Sequence, residues 1–254
     1  MKIMKSHSLI AILGTASIAH AFQPVAPSNT SLRPNYTSNV FMTSLDMSST
    51  SEEWISLVDG SDVVQKQILC ESSGDIPQKG QTVKIEYKGT IGKSQSTWSV
   101  EDVVECWLKN QQGLYDILAK PMEENNVDGA VLFDADTFDE AYVAETLGVA
   151  NKIQCKKTIM AAKRLRTQGE DFEQGSVFDS SADRGKPFEF VLGKGKAIKS
   201  MELLVATMKV GETAKMSCRA DYGYGPEGYR KANGDVMIPP FCNLDFEITL
   251  VSIE

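Results

Sequence analysis

Between Gly175 and Ile198 the chain reads G-S-V-F-D-S-S-A-D-R-G-K-P-F-E-F-V-L-G-K-G-K-A-I. Asp179 directly follows Phe178, Arg184 comes five positions later, and Phe188, Phe190 and Leu192 alternate behind them. A carboxylate and a guanidinium beside an aromatic wall can hold a polar group at the rim of an apolar pocket. The same residues can equally make a turn salt bridge over sheet core. Further on, the glycine-rich loop Asp221-Tyr222-Gly223-Tyr224-Gly225 closes with Ile238-Pro239-Pro240. The two histidines, His7 and His20, both lie in the N-terminal leader. The rest of the chain therefore has no Ser–His or Cys–His nucleophile pair and no His-ligated zinc. There is no P-loop, and Gly193-Lys194-Gly195 lacks the third glycine and the strand-to-helix context of a dinucleotide fingerprint. No cofactor and no metal are expected.

These residues need a sheet to position them, and the sequence supplies its alternation. Val83, Ile85 and Tyr87 alternate with Lys84, Glu86 and Lys88. Ala214, Met216 and Cys218 repeat the pattern, as do Leu244, Phe246, Ile248 and Leu250. Ala197, Ile198, Met201, Leu204, Val205 and Met208 have the spacing of one amphipathic helix stopped at Gly211. An α+β domain is predicted, a five- or six-stranded antiparallel sheet wrapped on one short helix. The strand signal stops at Gly92 and returns only at Val177. Between them, Trp98 to Leu165 reads as helices. Ser99 and Asp102 stand at capping-box spacing, Val103, Val104, Trp107 and Leu108 follow at helical spacing, and Leu114, Tyr115 and Leu118 precede Pro121. A short helix is expected from Ala141 to Leu147 and a longer basic one from Asn151 to Arg166.

Composition sets the class and the compartment. Of 254 residues, 42% are hydrophobic and 24% charged, which suits a globular chain. Residues 1–21, with Lys2, Lys5, an apolar run from Leu9 to Ala19 and Ala19-His20-Ala21 before Phe22, read as a signal peptide. Residues 22–51 are rich in Ser, Thr and Asn and nearly free of acids, too polar to build a core. The cysteines, Cys70, Cys106, Cys155, Cys218 and Cys242, are odd in number and widely spaced, which is no disulfide framework and suits a reducing compartment. A net charge of −8 disfavours nucleic acid and anionic membrane as partners, and no apolar run after the leader is long enough to span a bilayer.

Three resemblances extend this reading. V-K-I-E-Y-K-G-T around Tyr87, F-D-S-S-A-D-R-G-K-P-F-E-F-V-L-G from Phe178, V-G-E-T-A-K, D-Y-G-Y-G and I-P-P are similar to the FKBP-type peptidyl-prolyl isomerases over residues 52–93 and 168–254. The resemblance implies rotation about the bond before proline in proline-containing polypeptides. Tyr87, Asp179 and Tyr224 are the catalytic positions it implies. Phe178, Arg184, Phe188, Ala197, Ile198, Met201, Ile238 and Phe246 are those that bind substrate. The Ile198 N–H and the Tyr224 hydroxyl would be the donors. Where the family's pocket floor is typically Gly-Trp, this chain has Ser200-Met201, so reduced activity and only weak macrolide binding are expected, and the alternative function is a catalytically weak or inactive proline-segment-binding scaffold that assembles partners through the helical stretch over 97–167.

The stretch over 97–167 resembles a five-helix sterile alpha motif (SAM) domain, through W-S-V-E-D-V-V-E-C-W-L at Trp98 to Leu108, V-D-G-A-V-L-F at Val127 to Phe133 and L-G-V at Leu147 to Val149. That likeness implies oligomerisation, or docking on another SAM-type domain. The acidic side would be Asp128, Asp134, Asp136, Asp139 and Glu140, and the basic side Lys152, Lys156, Lys157, Lys163 and Arg164. Ala21-Phe22 and the hydroxylated tail resemble the bipartite plastid presequence of algae with complex plastids, which implies the stroma, with secretion or the endomembrane lumen as the alternative.

Overall fold

Apolar side chains at every second position give a strand one face to bury, and here that face is curled around a helix. The computed structural model describes residues 53–168 and 172–254, so the leader and tail read at 1–51 lie outside the described residues. In chain order the strands are β1 (Ile55–Val58), β2 (Ser61–Cys70), β3 (Thr82–Ile91), β4 (Val177–Ser180), β5 (Phe188–Val191), β6 (Thr213–Cys218), β7 (Tyr229–Arg230), β8 (Val236–Ile238) and β9 (Leu244–Ile253). One antiparallel sheet runs β1-β2-β6-β9-β3-β4, with β5 also paired to β3, while β7 and β8 form a separate ribbon. Seven strands exceed the five or six expected. The edge strand β1 folds back on β2, and the Ser181–Pro187 loop divides the stretch after Val177 into two strands.

That division positions the site. Gly89 lies opposite Asp179 and Ile85 opposite Phe188, so β4 and β5 flank Tyr87 on the same edge of β3. A serine bridges the interval: Ser181 N–H donates to the Tyr87 carbonyl, and Tyr87 N–H to Ser181 Oγ, each at 2.9 Å. Inside the curl, Met201, Leu204 and Val205 of the Lys199–Val205 helix pack with Val83, Ile85, Met216, Ile248 and Leu250. Full burial of each such side chain contributes about 1.5–3 kcal/mol. This helix is shorter than the span expected from Ala197 to Met208. The Glu202 carboxylate accepts the Gly193 and Lys196 N–H groups, each at 3.1 Å, and folds the preceding residues into a loop. Lys66 and Glu212 meet at 2.6 Å with both side chains 5% exposed, which ties β2 to the turn before β6.

The helical segment leaves and re-enters the sheet at one point. Ile91 N–H donates to the Ser176 carbonyl at 2.9 Å, and Gly175 N–H to the Ile91 carbonyl at 2.8 Å. Between them come a 3-10 turn at Gln95–Thr97, a π-helical segment at Asp102–Trp107 running into a 3-10 turn at Leu108–Asn110, α1 (Tyr115–Glu124), α2 (Gly129–Phe133), a second π-helical segment at Tyr142–Thr146 and α3 (Lys152–Gln168); the helix on the sheet is α4. The turn at Gln95–Thr97 and the π geometry depart from five regular helices. α1 also continues through Pro121, and the Asn125 side-chain amide closes it on the Pro121 carbonyl at 2.8 Å. The Ser99–Asp102 box forms, with Asp102 N–H to Ser99 Oγ at 3.1 Å and Ser99 N–H to Asp102 Oδ2 at 3.2 Å.

Several charges read as docking faces have local work. Asp128 accepts Val131 N–H at 2.9 Å, Asp139 accepts Tyr142 N–H at 2.7 Å, and Asp134 holds the Thr137 hydroxyl at 2.6 Å. Lys157 donates to the Gln112 carbonyl. The helices enclose their own core around Trp107, Leu108, Leu114, Leu118, Met122 and Leu132, and the two cores belong to one compact unit. Among the described residues no helix is long and apolar enough to cross a membrane, and no group of three acidic, Cys or His side chains could hold a metal ion.

Candidate active site

Asp179 is the polar centre of the site. The Tyr87 hydroxyl donates to Asp179 Oδ2 at 2.7 Å, Arg184 pairs with the same oxygen, and Ser180 N–H donates to Oδ1 at 2.9 Å. Arg184 reaches it from a turn in which its own N–H bonds the Ser181 carbonyl and Gly185 adopts φ 66. The guanidinium also lies 5.9 Å from the Tyr87 ring centroid. Charge-assisted donors on both sides fix the carboxylate in one orientation.

The walls are aromatic and meet mostly edge to face. Phe178 and Phe246 lie 5.6 Å apart at 89°, and Tyr87 and Phe188 lie 6.1 Å apart at 73°. Such contacts add about 0.5–1.5 kcal/mol beyond area burial and hold rings in place. Gly89 makes the first pair possible, because a Cβ there would come within 2.6 Å of the Phe178 ring and 2.8 Å of the Phe246 ring. Its signal in the sequence is a glycine interrupting a strand, which marks close approach.

Together these side chains enclose a cavity of about 320 Å³, lined by every anticipated site residue except Ile238, and also by Lys196. Ile238 is 1% exposed and sits in the sheet core, because pairing of β8 with Tyr229 on β7 turns it inward. Lys196 was missed. Its position two residues before Ile198 in the G-K-G-K loop was the available signal. Met201, 5% exposed, stands in the cavity lining. Other depressions, of about 420, 460 and 440 Å³, are larger, but none has more than two aromatic side chains in its lining.

Both phenols are donors at neutral pH. Burial, and then the bond to Asp179, push the Tyr87 hydroxyl well above its ordinary 10.0, and burial raises that of Tyr224. Among the described residues no hydrogen bond engages the Tyr224 hydroxyl or the Ile198 N–H. The arrangement offers donors, a fixed carboxylate and an apolar floor, with no activated nucleophile.

The family model of FKBP-type peptidyl-prolyl cis-trans isomerases matches residues 152–251. FK506-binding protein 1 of Dictyostelium discoideum is 49% identical over 80 residues, 32% of this chain and 70% of that protein. The chain belongs to the FKBP-type peptidyl-prolyl cis-trans isomerases. Peptidyl-prolyl cis-trans isomerase Fkbp12 of Drosophila melanogaster is 42% identical to this isomerase over 82 residues, 32% of this chain and 71% of that protein. Among solved structures, the N-terminal domain of FKBP42 from Arabidopsis thaliana overlays with a TM-score of 0.42 at 17% identity, covering 81% of this chain and 95% of that one. As an FKBP-type enzyme the protein is an isomerase.

Proposed function

We propose that the 320 Å³ cavity is where this isomerase holds a proline and rotates the preceding bond. The barrier it meets is about 18–20 kcal/mol, set by amide resonance. Taking the imide out of water weakens that resonance, because the planar form is the more polar one and loses more solvation. Phe178, Phe188 and Phe246 would grip the ring over Met201. The Tyr224 hydroxyl and the Ile198 N–H would donate to substrate carbonyls, and Asp179, held by Tyr87 and Arg184, would face the twisting carbonyl. Two donors left open beside a carboxylate that is already held, all at an aromatic mouth, is the observation that carries this reading.

The test is a cis–trans assay on an Xaa-Pro peptide. Tyr224→Phe and Asp179→Val should each lower kcat/KM about tenfold or more, the equivalent of one lost hydrogen bond of about 1.4 kcal/mol. Wild-type turnover equal to that of the double variant sinks the assignment. Met201 favours a second reading, in which a floor without a flat ring keeps the grip on proline segments but slows turnover and weakens macrolide binding.

The finer organisation follows from the same proposal. Residues 52–93 and 168–254 form a discontinuous isomerase domain, and 97–167 form a SAM-like insert for self-association or docking. Its remaining free charges, Asp136 and Glu140 against Lys152, Lys156, Lys163 and Arg164, would make the contact. A monomer at low salt and high concentration on sizing chromatography refutes the self-association. The bipartite leader would deliver the protein to the plastid stroma, with secretion as the competing route.

A further inference from the structure

The helical insert touches the loop that carries Tyr224 in three ways. Ala220, fully buried, and Phe241, 8% exposed, flank that loop in sequence, yet both are members of the insert's own hydrophobic cluster. Phe241 holds a left-handed backbone at φ 57, unusual for a bulky residue. Its N–H donates to the Gly225 carbonyl at 3.0 Å, and Gln95, in the turn that leads into the insert, donates to its carbonyl at 3.4 Å.

Arg219 makes the third contact. Its side chain is 10% exposed. Nε and Nη2 donate to the two oxygens of Asp221, at 2.9 and 3.1 Å, and Nη1 donates to Asp102 Oδ1 at 3.1 Å. Its backbone N–H bonds the Val63 carbonyl at 2.9 Å. One residue thus joins three parts of the molecule: its backbone N–H reaches β2 at Val63, and its guanidinium bridges the first helical segment of the insert at Asp102 and the Tyr224 loop at Asp221. Asp102 is itself fixed by the Ser99 capping box. Without Arg219 the carboxylates of Asp102 and Asp221 would lose the cation between them, and only the packing of Ala220 and Phe241 and the Gln95 bond would hold the loop to the insert.

We propose that Arg219 is a positioning residue for isomerisation and that the insert braces the Tyr224 loop from behind the cavity, so that Asp102 sets where the Tyr224 hydroxyl points. This rests on Tyr224 acting in the pocket as read above. A tethered module would need only a pliable hairpin. This one is clamped on both sides of the catalytic loop, by Ala220 and Arg219 before Tyr224 and by Phe241 after it.

The experiment is a double-mutant cycle in the full chain, read by kcat and KM on an Xaa-Pro peptide, with near-UV circular dichroism and urea midpoints as folding controls. Asp102→Asn keeps the shape and the cap but removes the charge. It should lower kcat about fivefold and move KM less than about twofold. Combined with Tyr224→Phe, it should cost no more than Tyr224→Phe alone, the non-additivity of groups acting through one another. Arg219→Lys, which reaches one carboxylate but not both, should fall between wild type and Arg219→Ala, and stands in for Arg219→Ala if that variant fails to fold. Additive losses, or an unchanged kcat in Asp102→Asn, overturn the coupling and leave the pocket reading standing. An inert Tyr224→Phe overturns both.

Discussion

The two cores of this molecule are built from similar residues and end differently. The helical one closes completely, over Ala220 and Phe241 on its sheet side, with Trp107, Leu108, Leu114 and Leu118 at 1% exposure or less. The sheet core is equally dry at Ile85, Leu204, Met216 and Ile248, yet it leaves Phe178, Phe188, Ala197, Ile198 and Tyr224 only partly buried along one edge. The difference is geometric. Short helices can rotate until their apolar faces meet, whereas a strongly twisted sheet wrapped on a seven-residue helix leaves a concave end that the helix is too short to fill. Acids follow the same division. Asp128, Asp134 and Asp139 are consumed in local hydrogen bonds at helix starts and turns, while Asp179 is held at the rim of a cavity.

The comparison breaks first where the sheet core carries buried charge. Glu212→Ala leaves the buried Lys66 without its carboxylate, held only by the carbonyl and hydroxyl of Thr207, and should cost about 3 kcal/mol in urea unfolding. Because the insert is clamped to the sheet, Trp98 and Trp107 fluorescence, read in a Trp54→Phe background, should report the same shifted midpoint as far-UV dichroism. Two separate midpoints would show that the cores are independent.

A second, smaller effect tests the dryness that both cores share. Burial pushes the thiols of Cys106 in the insert, and of Cys218 and Cys242 in the sheet domain, up to about 12 from 9.0. A thiol whose value is raised by folding stabilises the protein fully below the unfolded value and loses that contribution as pH rises toward the folded one. Stability should therefore decline above pH 9, by on the order of 1 kcal/mol per thiol per pH unit. Urea midpoints at pH 8 and 10 measure it; equal midpoints would mean the thiols are wet.

The smallest expected effect is none at all. Since Tyr87 and Tyr224 are both raised above 10.0 and the described residues contain no histidine, kcat/KM should be flat between about pH 7 and 9. A bell-shaped profile in that range would replace donors and desolvation with acid–base chemistry.

Much of the fold was legible because it depends on neighbours in sequence. Alternation at Val83, Ile85 and Tyr87 and at Leu244, Phe246, Ile248 and Leu250 set which face of β3 and β9 is buried, and the Ser99–Asp102 box set where the first helical segment starts. The return from helices to sheet at Val177 was equally plain. Boundaries governed by distant contacts were less so: Ala197 and Ile198, expected to open α4, follow a loop in which Glu202 draws Gly193 and Lys196 back, and α1 runs past Pro121.

The residue types that could grip a proline, and the absence of a nucleophile, were determined by the sequence alone, since both follow from composition and local spacing. Whether Phe178 and Phe246 make a wall or a filled core was decided only by the tertiary structure, because Gly89, from a strand on the far side of the insert, must leave room for both rings. The same holds for Ile238, turned inward by β7, and for Lys196, brought to the rim by Glu202. It holds most of all for Arg219, whose partner Asp102 lies 117 residues away. No spacing rule reaches that far; only the closing of the β3–β4 hairpin sets the insert against the Tyr224 loop.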